Sequence, residues 1–189
     1  MIALRPLYLY RGLSRREWKK SWPGDQTVAK AKPSGSRAIL IQAPCEAVWP
    51  WITQIGQDRA GFYSYRWLEN LMGAQMPDVR EIHSQWSHRE VGEYLVMAPI
   101  ERYGDIARMK LAEEEPIRRL TYVNKEGVWS FILEPVASDQ CRFICRGTWI
   151  PSHNPLAHVA RWLIFDPGHY LMEWKMMRSI KALAEQMCM

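Results

Sequence analysis

The sequence lacks any uninterrupted apolar run of the roughly 18 residues that a membrane-spanning helix needs. Near its start, Arg5 and Pro6 interrupt the chain before an apolar region of the secretory type can develop. Both a transmembrane class and a secreted class are therefore disfavoured. We expect the protein in the cytoplasm.

Cysteines are few and are not spaced as metal ligands. The four are Cys45, Cys141, Cys145 and Cys188, and no Cys-x-x-Cys pair occurs among them. A structural zinc site is therefore not predicted. Cys141 and Cys145 lie in a strand-like segment, where four residues span roughly 13 Å, too far for a disulfide between them. We expect reduced thiols.

Signatures of nucleotide, hydrolase and metal chemistry are also missing. The segment 56–61 (GQDRAG) has the glycine spacing of a phosphate-binding loop but lacks the following Lys-Ser/Thr. No Gly-x-Ser-x-Gly sequence occurs. His83 and His88, near Glu81, lie in an irregular segment without the spacing of helical metal ligands. No cofactor and no metal ion is predicted.

Positive charge is concentrated at the start of the chain. The net charge is +5, yet residues 1–38 hold nine basic and two acidic residues, which leaves −2 for the remainder. This balance argues against a nucleic-acid groove on the body. The basic segment also contains Leu7, Leu9, Leu13, Trp18 and Trp22. It either packs on its own domain or rests, through residues 1–22, on an anionic membrane surface.

The pattern of the chain predicts an arm and linker over residues 1–36 and one domain over 37–189. A β-branched run at 37–42 predicts a strand, and a helix is predicted from Pro44. A second short helix is predicted over Arg66–Met72, before Gly73. From Glu93 onward the apolar period changes to two, which indicates antiparallel strands joined by hairpins.

The last segment predicts a long helix that covers the sheet. Asp166 is expected to cap it, with Pro167 in the first turn and an end near Gln186. The fold class is therefore α+β, with a curved antiparallel sheet around a long C-terminal helix and two short helices after the first strand. A sheet and helix that close incompletely leave a cavity between them as the natural ligand site.

Four segments resemble the START-like, helix-grip SRPBCC superfamily, which includes polyketide cyclase/dehydrase-type proteins. They are 43–51 (APCEAVWPW), 54–57 (QIGQ), 61–71 (GFYSYRWLENL) and 167–181 (PGHYLMEWKMMRSIK). The resemblance covers roughly residues 23–186. It implies a helix-grip fold of six to seven strands with an apolar cavity under the long helix. It implies no catalytic residue, because the branch that this sequence resembles is uncharacterised.

Candidate site residues fall on the helix and on the loop before the short second helix. His169 and Glu173 are four residues apart. If both face the cavity, the carboxylate can orient the imidazole for proton transfer, a role that suits a pKa near neutrality. Otherwise His169 caps local structure and Glu173 forms an ordinary intrahelical pair. Arg59, Tyr63 and Tyr65 border the expected cavity mouth, where they would either bind an oxyanion or form a packed gate.

Further residues are candidates for the wall of the cavity. Trp67 and Trp129 would supply flat aromatic surface, and Met172 and Met176 would adapt it to irregular ligands. The function favoured by these patterns is binding of a small, largely apolar molecule that is lipid-like, aromatic or polyketide-like. One alternative is a cyclase/dehydrase-type enzyme that uses His169 and Glu173. Another is an interaction module that docks through the basic arm.

Overall fold

A computed structural model describes residues 8–189, without the side chains of residues 157 and 158. Of the predicted arm, Arg5 and Leu7 lie outside the described residues. In the described part, no helix is both long enough and apolar enough to cross a bilayer.

In the part of the chain that the structure describes, six antiparallel strands form one sheet in the spatial order β1-β6-β5-β4-β3-β2. Their bounds are β1 Lys32–Ile41, β2 Tyr94–Val96, β3 Arg108–Glu115, β4 Arg119–Val123, β5 Gly127–Ala137 and β6 Gln140–Trp149. The prediction of antiparallel strands joined by hairpins is confirmed, because β4, β5 and β6 pair in the order in which they follow each other along the chain.

The first strand begins at Lys32 and not at Arg37, so most of the predicted linker is sheet. Lys32 pairs with Trp149, and the register shifts between Pro33 and Gly35. Pairing with the long strand β6 extends β1 beyond its β-branched stretch, because each added residue gains hydrogen-bond partners for its backbone N–H and C=O groups. Such pairing cannot be inferred from the side-chain pattern of β1.

The helices that follow β1 are α2 (Cys45–Thr53) and α3 (Arg66–Leu71), as predicted; α1 (Arg15–Lys19) precedes β1, and α4 is a single turn at Ile100–Tyr103. At the C-terminus, α5 (Pro155–Ala160) continues through a π-helical segment (Arg161–Phe165) into α6 (Asp166–Met187).

The expected helix cap at Asp166 is wrong. The helix already runs through this position, and the Asp166 carboxylate lies 3.5 Å from the guanidinium of Arg161. Pro167, which cannot donate a backbone hydrogen bond, is tolerated directly after the π-helical segment, where the hydrogen-bond register changes.

The core lies between the inner face of the sheet and two helices, α2 and α6. From α6 it receives Met176, Met177, Ile180 and Ala184, all nearly inaccessible to solvent. Alternate residues of the strands face them, including Phe131 on β5. A sheet that packs on the long C-terminal helix, with two short helices after the first strand, is the helix-grip arrangement that the sequence predicts.

The outer face of the sheet is covered by residues 8–31. Trp22 packs in a separate cluster with Ala38, Ile132 and Ile144. Along the edge of β1, the amide of Ala38 donates to the carbonyl of Arg11 at 2.9 Å. The chain comes so close here that a Cβ at Gly12, where φ is +79°, would lie 2.0 Å from the Ala38 oxygen.

Candidate functional site

Aromatic side chains gather on the inner face of the sheet beneath the start of α6. Trp129 and Phe131 alternate inward on β5, with ring centroids 4.7 Å apart. Phe62, from the loop before α3, stacks on Trp129 with an interplanar angle of 6° and a centroid distance of 6.1 Å. Together the three rings form a continuous apolar wall.

A buried ion pair lies at one end of this wall. Arg37 of β1 contacts the carboxylate of Glu173 on α6, and both side chains are almost inaccessible to solvent. Trp129 Nε1 donates to Glu173 Oε1 at 3.0 Å, and Arg37 Nε donates to the carbonyl of Tyr8 at 2.9 Å. Burial lowers the pKa of Arg37 to about 10, so the guanidinium stays charged at neutral pH. The two charges neutralise each other inside the protein.

His169 lies at the half-open edge of the same group, with 29% of its side chain exposed. It stacks on Phe165 at a centroid distance of 5.6 Å and lies 5.8 Å from the Trp129 ring. Burial first, and then the positive charges of Arg37 and Arg161, lower the pKa of His169 well below its ordinary value. The imidazole is therefore uncharged at neutral pH.

The expected pairing of His169 with Glu173 is corrected in one respect. His169 Nδ1 does lie 3.9 Å from Glu173 Oε2. The carboxylate, however, is bound by Arg37, so its charge is not available to hold a proton on the imidazole. His169 lacks the near-neutral pKa that suits a proton shuttle, because burial first, and then the charges of Arg37 and Arg161, lower its pKa.

Tyr63 belongs to the core. Its side chain is buried, its φ is +54°, and its hydroxyl accepts a 2.6 Å hydrogen bond from Gln54 Nε2. It meets the ring of Trp51 edge-on at 5.9 Å. Burial raises the pKa of the Tyr63 phenol. This placement agrees with a packed loop more than with a phenol exposed at a cavity mouth.

Arg59 is held away from the aromatic wall. Its guanidinium donates to the carbonyls of Thr53 and His88 and forms a 3.0 Å ion pair with Glu93. Beside it, the fully buried Arg89 donates to the carbonyls of Thr53 and Ile55, a contact that sequence reasoning missed. These two arginines tie the loop after α2 to the segment before β2.

The other predicted wall residues are divided between core and surface. Met176 is buried in the core, and Met172 is half-buried, with its carbonyl accepting from Ser64 Oγ at 3.0 Å. Tyr65, at the start of α3, faces the Lys175 ammonium group at 5.9 Å. Trp67 is 68% exposed on α3, so it does not line the interior in this conformation.

Three residues of the aromatic wall and its surroundings were not among the predicted site residues: Arg37, Phe62 and Phe165. The sequence did indicate an inward position for Arg37. It is separated by two and four residues from Ile39 and Ile41, which face inward, and such residues lie on the same face of a strand. The partner of Arg37 could not be read in this way, since Glu173 lies 136 residues further along the chain.

Two recesses lie elsewhere on the molecule. One of about 380 Å³ is lined by residues including Tyr94, Ile106 and Arg108. The other, of about 290 Å³, lies between β1 and α6 and is lined by Arg11, Trp174 and others. Neither contains a predicted wall residue. Within residues 8–189, no three metal-binding side chains come together.

Comparisons with known proteins give structural likenesses only. No family model and no curated protein matches the chain. Solved structures that match include norcoclaurine synthase from Thalictrum flavum, with 11% identity and a TM-score of 0.49 over 85% of this chain and 99% of that one. A protein from Nitrosomonas europaea has 13% identity and a TM-score of 0.48 over 81% and 96%.

A polyketide-cyclase-like protein from Corynebacterium glutamicum also matches, with 15% identity and a TM-score of 0.36 over 85% of this chain and 90% of that one. These low sequence identities and TM-scores indicate neither a ligand nor an activity for this chain. The element order and the packing of α6 on the sheet are observations on the chain itself. By these, the chain has a helix-grip fold.

Proposed function

We propose that the protein binds a small, largely apolar molecule at the inner face of the sheet, beneath the start of α6. One observation carries this proposal. The aromatic wall of Phe62, Trp129 and Phe131 is continuous at its edge with the half-buried His169 and, through it, with the exposed Phe165. Apolar surface that reaches solvent at one side and ends on polar groups at the other is the usual form of a small-molecule site.

The charges around the wall support a neutral ligand. Arg37 is neutralised by Glu173, and the lowered pKa of His169 keeps its imidazole uncharged. An ionised ligand would lose its hydration here without meeting an unpaired opposite charge, which is costly. A hydroxyl or carbonyl group would lose much less and can hydrogen-bond to a neutral imidazole. We therefore infer an uncharged, mostly aromatic or aliphatic molecule with one such polar group.

Binding is better supported than proton transfer by His169 and Glu173. A general acid/base works best with a pKa near the working pH. The pKa of His169 is lowered well away from neutrality, and Glu173 is held by Arg37 and by the Trp129 indole. The residues that would have to exchange a proton are thus held in fixed charge states.

The first test is native mass spectrometry of freshly purified protein beside a denatured sample. A discrete extra mass that is lost on unfolding would identify the ligand class directly. The binding proposal expects that mass to belong to an uncharged molecule, whereas a carboxylic acid or a phosphate ester in its place would contradict the inferred ligand class.

The second test is a fluorescence titration with the neutral dye N-phenyl-1-naphthylamine. In His169→Trp a larger ring fills the half-open edge, and we expect affinity at least about tenfold weaker than in the wild type, from steric exclusion. His88→Trp is the matched control, because His88 is exposed and contacts Glu114 on β3. Equal affinity of all three proteins would show that the dye does not bind beneath α6.

A further inference from the structure

The helix that leads into α6 carries large apolar side chains on its surface. We define the apolar patch as the exposed residues Leu156, Val159, Leu163, Ile164, Phe165 and Leu171. Ile164 is 75% exposed, and three patch residues are consecutive within the π-helical segment. Leu156, Val159 and Leu163 are spaced by three and four residues, the spacing of neighbours on one helix face. Exposed apolar side chains grouped in this way often mark an interaction site.

The charges near the apolar patch have one sign at the surface. Between residues 150 and 184 the sequence has two acids, Asp166 and Glu173. Both are buried, and each is paired with an arginine. On the next turns of α6, Arg178 is exposed and Lys175 is half-exposed. The exposed charged side chains of this stretch of chain are therefore cationic.

We propose that the apolar patch docks on an anionic lipid surface, with Lys175 and Arg178 facing the headgroups. An interfacial helix combines apolar side chains that enter the acyl boundary with cations that meet anionic lipids. A symmetric contact between two copies of this chain would instead bring the same cations together, which is unfavourable. The charge distribution thus favours the membrane over a second copy as the partner.

This surface is distinct from the basic arm that the sequence suggests for membrane contact. Leu9 and Trp22 of the arm are buried against the body, so they cannot insert while this packing persists. The apolar patch has no such cover among the described residues. Phe165 belongs both to the patch and to the edge of the inner aromatic group. Docking does not depend on ligand binding, and the two are tested separately.

The test is co-sedimentation of the full chain with phosphatidylcholine vesicles, with and without phosphatidylserine. We expect binding to the vesicles that contain phosphatidylserine, decreasing as salt is raised. Ile164→Glu should weaken it by about tenfold or more, since an apolar side chain is lost from the acyl boundary and a repelled charge is gained. Ile106→Glu is the matched control, because Ile106 is 66% exposed on another part of the surface and should bind as the wild type does.

A charge variant makes the test independent of the apolar substitution. Lys175→Glu with Arg178→Glu should weaken binding to phosphatidylserine vesicles at low salt by a similar factor. Sedimentation velocity on the same proteins reports self-association. The proposal would be overturned by absence of vesicle binding, by equal binding of Ile164→Glu and Ile106→Glu, or by a wild-type dimer that Ile164→Glu converts to monomer. None of these results bears on dye binding beneath α6.

Discussion

At the scale of single residues, the most consequential contact is the buried pair of Arg37 and Glu173. Removing two charges from water is costly, and only a close, hydrogen-bonded pair offsets that cost. Here Trp129 and the Tyr8 carbonyl supply the additional hydrogen bonds. The pair joins β1 to α6, so it fixes the helix over the sheet at the point where the aromatic wall ends.

Removing one partner of this pair should destabilise the protein more than removing both. Glu173→Met leaves Arg37 buried without its counter-charge, and we expect a loss of about 3–5 kcal/mol in the free energy of unfolding. Arg37→Met combined with Glu173→Met should recover much of that loss. Urea denaturation of the two single variants and the double variant measures the coupling. Purely additive losses would show that the two charges do not depend on each other.

A second residue, Glu69 on α3, makes stability depend on pH. It is buried, its Oε2 has no hydrogen-bond partner in the described part of the chain, and burial raises its pKa from 4.5 to about 7. Between these two values the unfolded chain has lost this proton and the folded chain keeps it. Stability must therefore fall as the pH rises through this window.

Glu69→Gln should remove that dependence, because the amide has no charge to bury. We expect the variant to be more stable than the wild type at pH 8, by at most about 3 kcal/mol, and similar to it at pH 4. Glu126→Gln, at an exposed turn position, is the control and should change stability by less than about 0.5 kcal/mol at either pH. Parallel stability curves for wild type and Glu69→Gln would contradict the assignment.

At the scale of elements, the pattern of apolar residues predicted those features of a strand that depend on residues close to it in sequence. Trp129 and Phe131 are two residues apart, and the period of two predicted that they share one face of β5, which the structure confirms. The start of β1 could not be predicted, because Lys32 and Pro33 become strand only through pairing with β6. The exposure of Trp67 on α3 and the packing of Trp22 on the sheet could not be predicted for the same reason, since burial depends on which surface the element meets.

Two tryptophans therefore make a matched pair for testing how the N-terminal segment packs. Trp22 is 4% exposed against the outer face of the sheet, whereas Trp67 is 68% exposed on α3. Trp22→Ala should lower the free energy of unfolding by about 3–5 kcal/mol through the cavity it leaves. Trp67→Ala should change it by less than about 0.5 kcal/mol. Chemical denaturation of both variants measures these changes. An unchanged free energy of unfolding in Trp22→Ala would mean that the N-terminal segment is not packed on the sheet in solution.

At the scale of the whole molecule, the candidate site was only partly foreseeable. The helical positions of His169 and Glu173 were accessible from the 3.6-residue period, and they do lie together. Their charge states were not accessible, because these depend first on burial in the fold and then on Arg37, a residue 132 positions before His169. Long-range pairs of this kind link segments whose order in the chain says nothing about their distance in space.

The same kind of long-range contact joins residues 8–31 to the sheet and leads to a last prediction. Arg146 on β6 is buried and binds Asp25 through two nitrogens, at 3.0 and 2.7 Å. Arg142 on β6 binds Glu17 on α1, so residues 8–31 are held to β6 at two points, Glu17 and Asp25. The sequence suggests an arm separate from a domain over residues 37–189, but these contacts predict that both unfold in one cooperative step.

Calorimetry of the full chain should accordingly show a single transition with equal calorimetric and van't Hoff enthalpies. Asp25→Ala leaves the Arg146 guanidinium buried and unpaired, so it should lower the midpoint of that transition by several degrees without splitting it. Asp139→Ala, at the exposed turn between β5 and β6, is the control and should leave the midpoint nearly unchanged. A separate low-temperature transition, or an Asp25→Ala midpoint equal to that of the wild type, would instead mean an arm that folds apart from the sheet.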